Sequence, residues 1–106
     1  MTRTIKIGFH RNSPRLWIEG KILASTGFKY GDKWRIDKAV DGTAFFLVAF
    51  DAPSTGDAVC SGSVSHRFRN DRETLIIDTH NRALPLGMVV ISDHAERFIT
   101  ITTTAD

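Results

Sequence analysis

The chain has 106 residues, of which 42% are hydrophobic and 25% charged, and this length and composition fit one compact domain with a single core. No apolar run approaches the roughly 18 residues that span a bilayer, and the first residues lack the apolar stretch of a signal peptide, so we expect a cytoplasmic protein without a membrane partner. The single cysteine, Cys60, excludes an internal disulfide and a cysteine-rich zinc site.

Charge is unevenly distributed along the chain, although the formal net charge is only +2. Residues 1–38 contain nine Lys or Arg and three acidic residues, whereas the remaining residues contain five and nine, which gives +6 against −4. A basic first third favours a polyanion such as nucleic acid as the partner, and an ordinary solvated face is the alternative.

The first half of the sequence alternates between apolar and polar residues, which is the pattern of β-strands. The alternation occurs in TIKIGFH, RLWIE and DKWRIDKAV. Residues 21–26 predict about two turns of helix, and Gly27 can adopt the left-handed conformation that ends a helix. We predict that this helix is a corner between two hairpins, and that Gly31-Asp32 turns the chain into the next strand.

Asp41-Gly42 predicts a β-hairpin, because a two-residue Asp-Gly loop tolerates positive φ. The run TAFFLVAF that follows is apolar at almost every position, which predicts a strand covered on both faces. Trp34 is in phase with Ile36 and is predicted to lie in the core. Residues 52–63 are rich in small, polar, Pro and Gly residues, and we predict that they form a connector.

The second half, about residues 64–106, repeats the order of the first half, about residues 1–51: strand, strand, helical turn, strand, strand. VSHRFRNDRETLIID predicts a hairpin about Asn70-Asp71, HNRAL predicts a short helix, and GMVVIS with RFITITT predicts a last hairpin. The two halves can be aligned by matching GKIL with NRAL, or in an alternative register by matching LWIE with LIID. Both alignments leave the same side chains facing inward. The sequence therefore predicts one all-β domain with one or two very short helices.

RLWIEGKILASTGFKYGDKWRI resembles the AbrB-like swapped-hairpin superfamily, and within it the SymE-like branch. The second half resembles a second copy, of the kind found in small phage or mobile-element proteins, in which LPLG replaces GF and GD. The resemblance implies a swapped-hairpin barrel, normally built by two chains, so we expect a monomer that supplies both halves or a homodimer. It also implies a DNA-binding regulator or antitoxin, or an RNA-acting toxin of the SymE-like type.

Seven basic residues are candidates for contacts with nucleic acid. Two flank the NSP turn of the first half, three lie on the corresponding hairpin of the second half, and two lie in the matched segments GKIL and NRAL. The candidates are Arg11, Arg15, Lys21, Arg67, Arg69, Arg72 and Arg82. Guanidinium groups on a hairpin can bind phosphates or read base edges. The alternative is that exposed arginines protect strand edges from aggregation.

Trp17 is the candidate for contact with a partner. It shares a strand face with Arg15 and Glu19, opposite the face that carries Leu16 and Ile18, so the indole is predicted to be exposed. An exposed indole can stack on an unpaired base or anchor a protein interface. The alternative is that a barrel corner covers it.

The sequence predicts no catalytic, metal or cofactor site. The four histidines lack a metal-binding spacing, and Asp78 and His80 share a strand face without a converging set of ligands. No phosphate-binding glycine loop or nucleophile elbow is present. We expect a non-catalytic nucleic-acid-binding protein. The alternatives are a phage or mobile-element protein that binds and inhibits a host protein, and a SymE-like RNA-acting toxin, so enzyme activity stays open.

Overall fold

The computed structural model describes residues 2–104, which form β-strands and one short α-helix. The strands are β1 Thr2–Lys6, β2 Gly8–His10, β3 Ser13–Glu19, β4 Lys33–Lys38, β5 Ala44–Ala49, β6 Asp57–Ser63, β7 Ser65–Arg69, β8 Arg72–His80, β9 Met88–Asp93 and β10 Phe98–Thr103. The helix is α1 Lys21–Ser25. This mainly β structure confirms the fold class that the alternation of apolar and polar residues predicts. No helix among the described residues is long and apolar enough to cross a membrane.

The strands form two open antiparallel sheets, which corrects the expectation of a closed barrel. The six-stranded sheet has the order β1-β9-β10-β5-β4-β6, and the four-stranded sheet has the order β2-β3-β8-β7. The end strands of each sheet, within residues 2–104, do not pair with each other, so neither sheet closes. Both sheets contain strands from before and after residues 52–56, so strands from the two halves of the chain pair with each other.

The chain passes directly from the six-stranded sheet to the four-stranded sheet at two places, and at each place a single buried residue separates the two strands. Ile7 lies between β1 and β2, and Val64 lies between β6 and β7. The N–H of Ile7 donates to the carbonyl of Gly87 over 2.8 Å, and the N–H of Val64 donates to the carbonyl of Asp32 over 2.8 Å. The segment TIKIGFH, predicted as one strand, is therefore divided between the two sheets.

Side chains from both sheets and from α1 share one hydrophobic core. Its largest fully buried side chains are Trp34, Phe28, Leu16, Ile18, Ile22, Leu23, Ile36, Leu47, Ile77, Ile91, Ile99 and Ile101. The core position predicted for Trp34 is thus confirmed. β5 lies between β10 and β4, and it contributes Phe45 and Leu47 to the core. On the opposite face Val48 is buried but Phe46 is half-buried and Phe50 is exposed, so the prediction of a strand covered on both faces is only partly confirmed.

The helix α1 ends at a glycine, as predicted. Gly27 has a φ of 98°, a conformation that costs an L-residue about 1 kcal/mol or more. The N–H of Phe28 donates to the carbonyl of Leu23 over 3.1 Å, and the N–H of Gly27 donates to the carbonyl of Ala24 over 3.0 Å. These two bonds form a Schellman motif, which satisfies carbonyls that the helix end leaves free. Phe28 then enters the core, and the chain continues toward β4.

The predicted connector is only partly a connector. Residues 57–63 form β6, which pairs with β4 at the edge of the six-stranded sheet. Their small and polar side chains do not suggest a strand, but the free edge of β4 supplies hydrogen-bond partners to the backbone. Gly62 lies opposite Trp34, where a side chain would collide with the indole ring. The small residue is therefore a packing requirement and not a sign of a loop.

HNRAL forms a turn and not a helix. The side-chain oxygen of Asn81 accepts the N–H of Ala83 over 2.8 Å, and the N–H of Leu84 donates to the carbonyl of Asn81 over 3.1 Å. An asparagine that bonds the backbone two residues ahead competes with helix formation. Only Leu84 of this segment is buried in the core.

Two of the three predicted hairpin turns lie at the predicted residues, one of them with a longer loop, and the third is displaced along the chain. Asn70-Asp71 form a two-residue turn with φ of 52° and 62°. Arg11-Asn12 form the corresponding turn, so the predicted NSP turn is displaced and its Ser and Pro begin β3. The hairpin at Asp41-Gly42 has the longer loop 40–43, because the N–H of Ala39 donates to the carbonyl of Ala44.

Candidate functional site

Basic side chains from distant segments meet in a groove beside the start of α1. A cavity of about 460 Å³ is lined by Arg3, Glu19, Gly20, Lys21, Ile22, Arg67 and Thr74. An adjoining cavity of about 350 Å³ is lined by Gly20, Lys21, Ala24, Arg72, Glu73, Thr74 and Leu75. We call these two cavities together the basic groove. Its cations are Arg3, Lys21, Arg67 and Arg72.

Strand pairing places each cation in the groove. β1 carries Arg3 and is held at the edge of the six-stranded sheet by β9. β8 pairs with β3, which extends the β7–β8 hairpin past the end of β3 and places Arg67 and Arg72 near the first turn of α1. Lys21 is the first residue of that helix. Residues far apart in the sequence therefore form one positively charged surface.

Glu19 fixes two of the four cations. Nη2 of Arg67 donates to Oε2 of Glu19 over 3.0 Å, and Nη1 of Arg3 donates to the backbone carbonyl of Glu19 over 2.9 Å. A guanidinium has five N–H donors, so each arginine keeps donors for an anion. Because the ion pair is solvent-exposed, it contributes only about 0–1 kcal/mol to stability. Its main consequence is the position of the two guanidinium groups.

Lys21, Arg69 and Arg72 have no ion-pair partner within the described residues 2–104. Arg69 and Arg72 stand opposite each other at the turn of the β7–β8 hairpin. Like charges placed side by side without a counter-charge raise the local positive potential, which attracts anions. Arg11 and Arg82 also have no ion-pair partner among residues 2–104, so the groove differs from their end of the sheet by the convergence of four cations, beside the carboxylates of Glu19 and Glu73.

Arg15 lies elsewhere, and its charge is compensated. Its Nε and Nη2 donate to the two carboxylate oxygens of Asp78, each over 2.8 Å. The hydrogen bond from Arg15 holds the pKa of Asp78 below its usual value, against the opposite effect of partial burial. The guanidinium also lies 5.1 Å from the centre of the Trp17 ring. Trp17 is 38% exposed, so no barrel corner covers it.

Arg11 and Arg82 are exposed and line neither cavity of the groove. Arg11 is in the β2–β3 turn, and Arg82 follows the end of β8, so both lie at the opposite end of the β3–β8 pair. His10 and His80 occupy that end as well, with ring centroids 4.7 Å apart. The structure thus brings together Lys21, Arg67 and Arg72, with Arg69 adjacent, and separates the other three basic candidates from them.

Arg3 is not among the candidate residues that the sequence predicts. The signal available was the basic first third, to which Arg3 belongs, but nothing in the local pattern places β1 beside α1. Within residues 2–104, no group of three or more His, Cys, Asp or Glu side chains is arranged to hold a metal ion.

The chain is therefore a mainly β protein with two antiparallel sheets and a cationic groove. Comparisons of the chain with protein-family models, with curated proteins and with solved structures found no match. The AbrB-like and SymE-like resemblance is therefore a hypothesis that rests on the sequence motif alone.

Proposed function

We propose that this chain is a cytoplasmic, non-catalytic regulatory protein of the SymE/AbrB-like type that binds nucleic acid through the basic groove. One observation carries the proposal: Arg3, Lys21, Arg67 and Arg72 converge from separate parts of the chain on one open groove. Contacts of lysine and arginine with phosphates supply most of the affinity of non-specific nucleic-acid binding. Lys21 and Arg72, which have no ion-pair partner in the described part of the chain, supply positive charge, and Arg3 and Arg67 supply donors that Glu19 holds in place.

The strand pairing supports the further proposal that one chain provides both repeats of a swapped-hairpin unit. At the two ends of the β3–β8 pair, the N–H of Gly20 donates to the carbonyl of Leu75 and the N–H of Asn81 donates to the carbonyl of Pro14, each over 3.0 Å. In the alignment of the two repeats, Pro14 is equivalent to Leu75 and Gly20 is equivalent to Asn81, because both pairs are separated by the same number of residues. The two hydrogen bonds therefore occupy equivalent positions in the two repeats. This alignment is the register in which GKIL matches NRAL. We therefore propose a monomer, which light scattering coupled to size-exclusion chromatography would test.

The groove is tested by removing the positive charges of Lys21 and Arg72 in the variant Lys21→Ala/Arg72→Ala. Lys33→Ala/Lys38→Ala is the matched control, because it removes the same charge from the two exposed ends of β4, away from the groove. Binding of labelled oligonucleotides is measured at several salt concentrations. We expect weaker binding by the groove variant and a salt slope reduced by up to about one unit per lost phosphate contact. Equal losses in both variants would show that net charge alone decides binding and would contradict the groove.

A second candidate function is the inhibition of a host protein by a phage or mobile-element protein. The observation that favours it is Trp17, which is exposed on the outer face of the four-stranded sheet with Arg15 against its ring. Tryptophan and arginine are enriched in the residues that dominate protein interfaces. A protein captured from nuclease-treated lysate by the parent, and not by Trp17→Ala, would favour this function. The SymE-like RNA-acting toxin remains a prediction from the resemblance.

A further inference from the structure

The β7–β8 hairpin carries exposed aromatic side chains on the face opposite its arginines. His66 and Phe68 alternate with Arg67 and Arg69 along β7, and alternate residues of a strand point to opposite faces. Tyr30, from the segment after α1, stacks on His66 with ring centroids 3.7 Å apart and planes 8° apart. Phe68 meets His66 edge to face, with centroids 4.9 Å apart. We call Tyr30, His66 and Phe68 the aromatic platform.

The aromatic platform is held in place but is not part of the core. Nδ1 of His66 lies 2.6 Å from Oε2 of Glu73, which fixes the imidazole between the two other rings. Tyr30 is 58% exposed and Phe68 is 64% exposed. Large aromatic side chains that are ordered against each other and still open to solvent indicate a surface that receives a ligand.

The chemistry around the aromatic platform selects the class of ligand. β7 is an edge strand of the four-stranded sheet, so a chain-like ligand can lie along it without displacing another strand. One side of β7 then offers the guanidinium groups of Arg67 and Arg69, and the other side offers ring faces. Binding sites for single-stranded nucleic acid combine these two features: cations follow the backbone, and bases stack on aromatic rings.

We propose that the β7–β8 hairpin binds single-stranded nucleic acid, with unpaired bases stacked on Tyr30 and Phe68 and phosphates bound by Arg67, Arg69 and Arg72. The inference rests on the proposed nucleic-acid-binding function and specifies its substrate. In a duplex the base faces are already stacked on each other, so they are not accessible to the aromatic platform. An apolar protein surface would fit the rings but would leave the charges of Arg69 and Arg72, which have no ion-pair partner among residues 2–104, beside an apolar contact.

The experiment compares three ligands of equal length: a mixed-sequence single strand, its duplex, and a single strand of abasic sites that retains the phosphates. Binding of the whole protein is measured by fluorescence anisotropy for the parent, Tyr30→Ala, Phe68→Ala and Phe68→Trp. We expect each alanine variant to lose roughly 5- to 100-fold in affinity for the mixed single strand and little for the abasic strand. Phe68→Trp keeps a ring face and should retain binding. Thermal melting of each variant confirms that it is folded.

The outcomes separate failure of the aromatic platform from failure of the proposed function. If Lys21→Ala/Arg72→Ala weakens binding while both aromatic variants bind the single strand like the parent, the platform is overturned and the groove is supported. If the parent binds none of the three ligands, the nucleic-acid function itself fails. A protein partner from nuclease-treated lysate that requires Phe68 would also overturn the single-strand proposal.

Discussion

Glu19 and Arg67 form an ion pair at the mouth of the basic groove, with Nη2 of Arg67 donating to Oε2 of Glu19 over 3.0 Å. Glu19 ends β3 and Arg67 lies in β7, and β8 separates the two strands in the sheet. The pair thus links β7 to the end of β3, two residues before α1 begins. It also places the carboxylate of Glu19 inside the surface that we propose binds phosphates.

Replacing Glu19 with glutamine should strengthen binding. Glu19→Gln removes a negative charge from the groove, and its side-chain carbonyl can still accept a hydrogen bond from Arg67. We expect nucleic-acid affinity to rise by roughly 2- to 10-fold at low salt and the gain to shrink as salt increases. Glu96→Gln makes the same charge change in the β9–β10 turn and should leave affinity near that of the parent. Weaker binding by Glu19→Gln would show that the pair itself, and not the free cations, forms the site.

The Arg15–Asp78 pair should make stability depend on pH in the acid range. The hydrogen bond from Arg15 lowers the pKa of Asp78, so the unfolded chain takes up a proton before the native protein does. The pair therefore stabilises the native state above the usual range of a carboxyl group, about pH 4, and this contribution disappears as pH falls through the lowered pKa. Asp78→Asn should reduce the difference in urea midpoint between pH 6 and pH 3. Asp51→Asn, at an exposed carboxyl, is the control.

The Asp37–Arg35 pair should be important for stability, because Asp37 is only 1% exposed. Burial raises the pKa of Asp37, but hydrogen bonds from Arg35 and Thr55 outweigh burial, so the pKa lies below its usual value. Nη1 of Arg35 also donates to the carbonyls of Phe50 and Ala52, which ties the segment after β5 to β4.

Removing Asp37 leaves the Arg35 guanidinium without its counter-charge, so we expect Asp37→Ala to lower the free energy of unfolding by about 3–5 kcal/mol. Chemical denaturation of Asp37→Ala, Arg35→Ala and the double variant gives the coupling energy between them. A double variant as unstable as the sum of the two single variants would show that the two side chains do not act as a pair.

Gly62 should not tolerate a side chain. A Cβ atom at Gly62 would lie 2.6 Å from Cζ2 of Trp34, and that ring is 2% exposed, so the ring or the backbone of β6 would have to shift. We expect Gly62→Ala to cost about 1–3 kcal/mol in unfolding free energy and to change the fluorescence of Trp34. The fluorescence is measured in a Trp17→Phe background, which leaves Trp34 as the only tryptophan. Gly8→Ala is the control, because nothing lies within 4 Å of its added Cβ. Equal stability of the two variants would contradict the packing argument.

The sequence predicts those features that depend on neighbouring residues. Alternation predicts the strands, Gly27 predicts the end of α1, and the polar pair Asn70-Asp71 predicts the hairpin turn, because each depends on backbone preferences and on side chains a few residues away. The apolar run that becomes β5 predicts the burial of Phe45 and Leu47, whereas the half-buried Phe46 on the other face shows that an apolar run does not by itself establish cover on both faces. The exposure of Trp17 follows from the period of a strand in the same way.

Only the tertiary structure decides which strands pair, and with that the location of the groove. β6 is a strand because β4 offers it a free edge, although its own residues predict a connector. Arg3 joins Lys21 and Arg67 because β1 pairs with β9 and β8 pairs with β3, which are relationships between residues far apart in the chain. Arg15 and Arg72 are both exposed-strand arginines by pattern, yet Arg15 has Asp78 as its partner and Arg72 has no ion-pair partner among residues 2–104. Whether an arginine has a counter-charge depends on which side chain from a distant segment lies within a few ångströms of it. The residues next to the arginine in the sequence do not determine that distance.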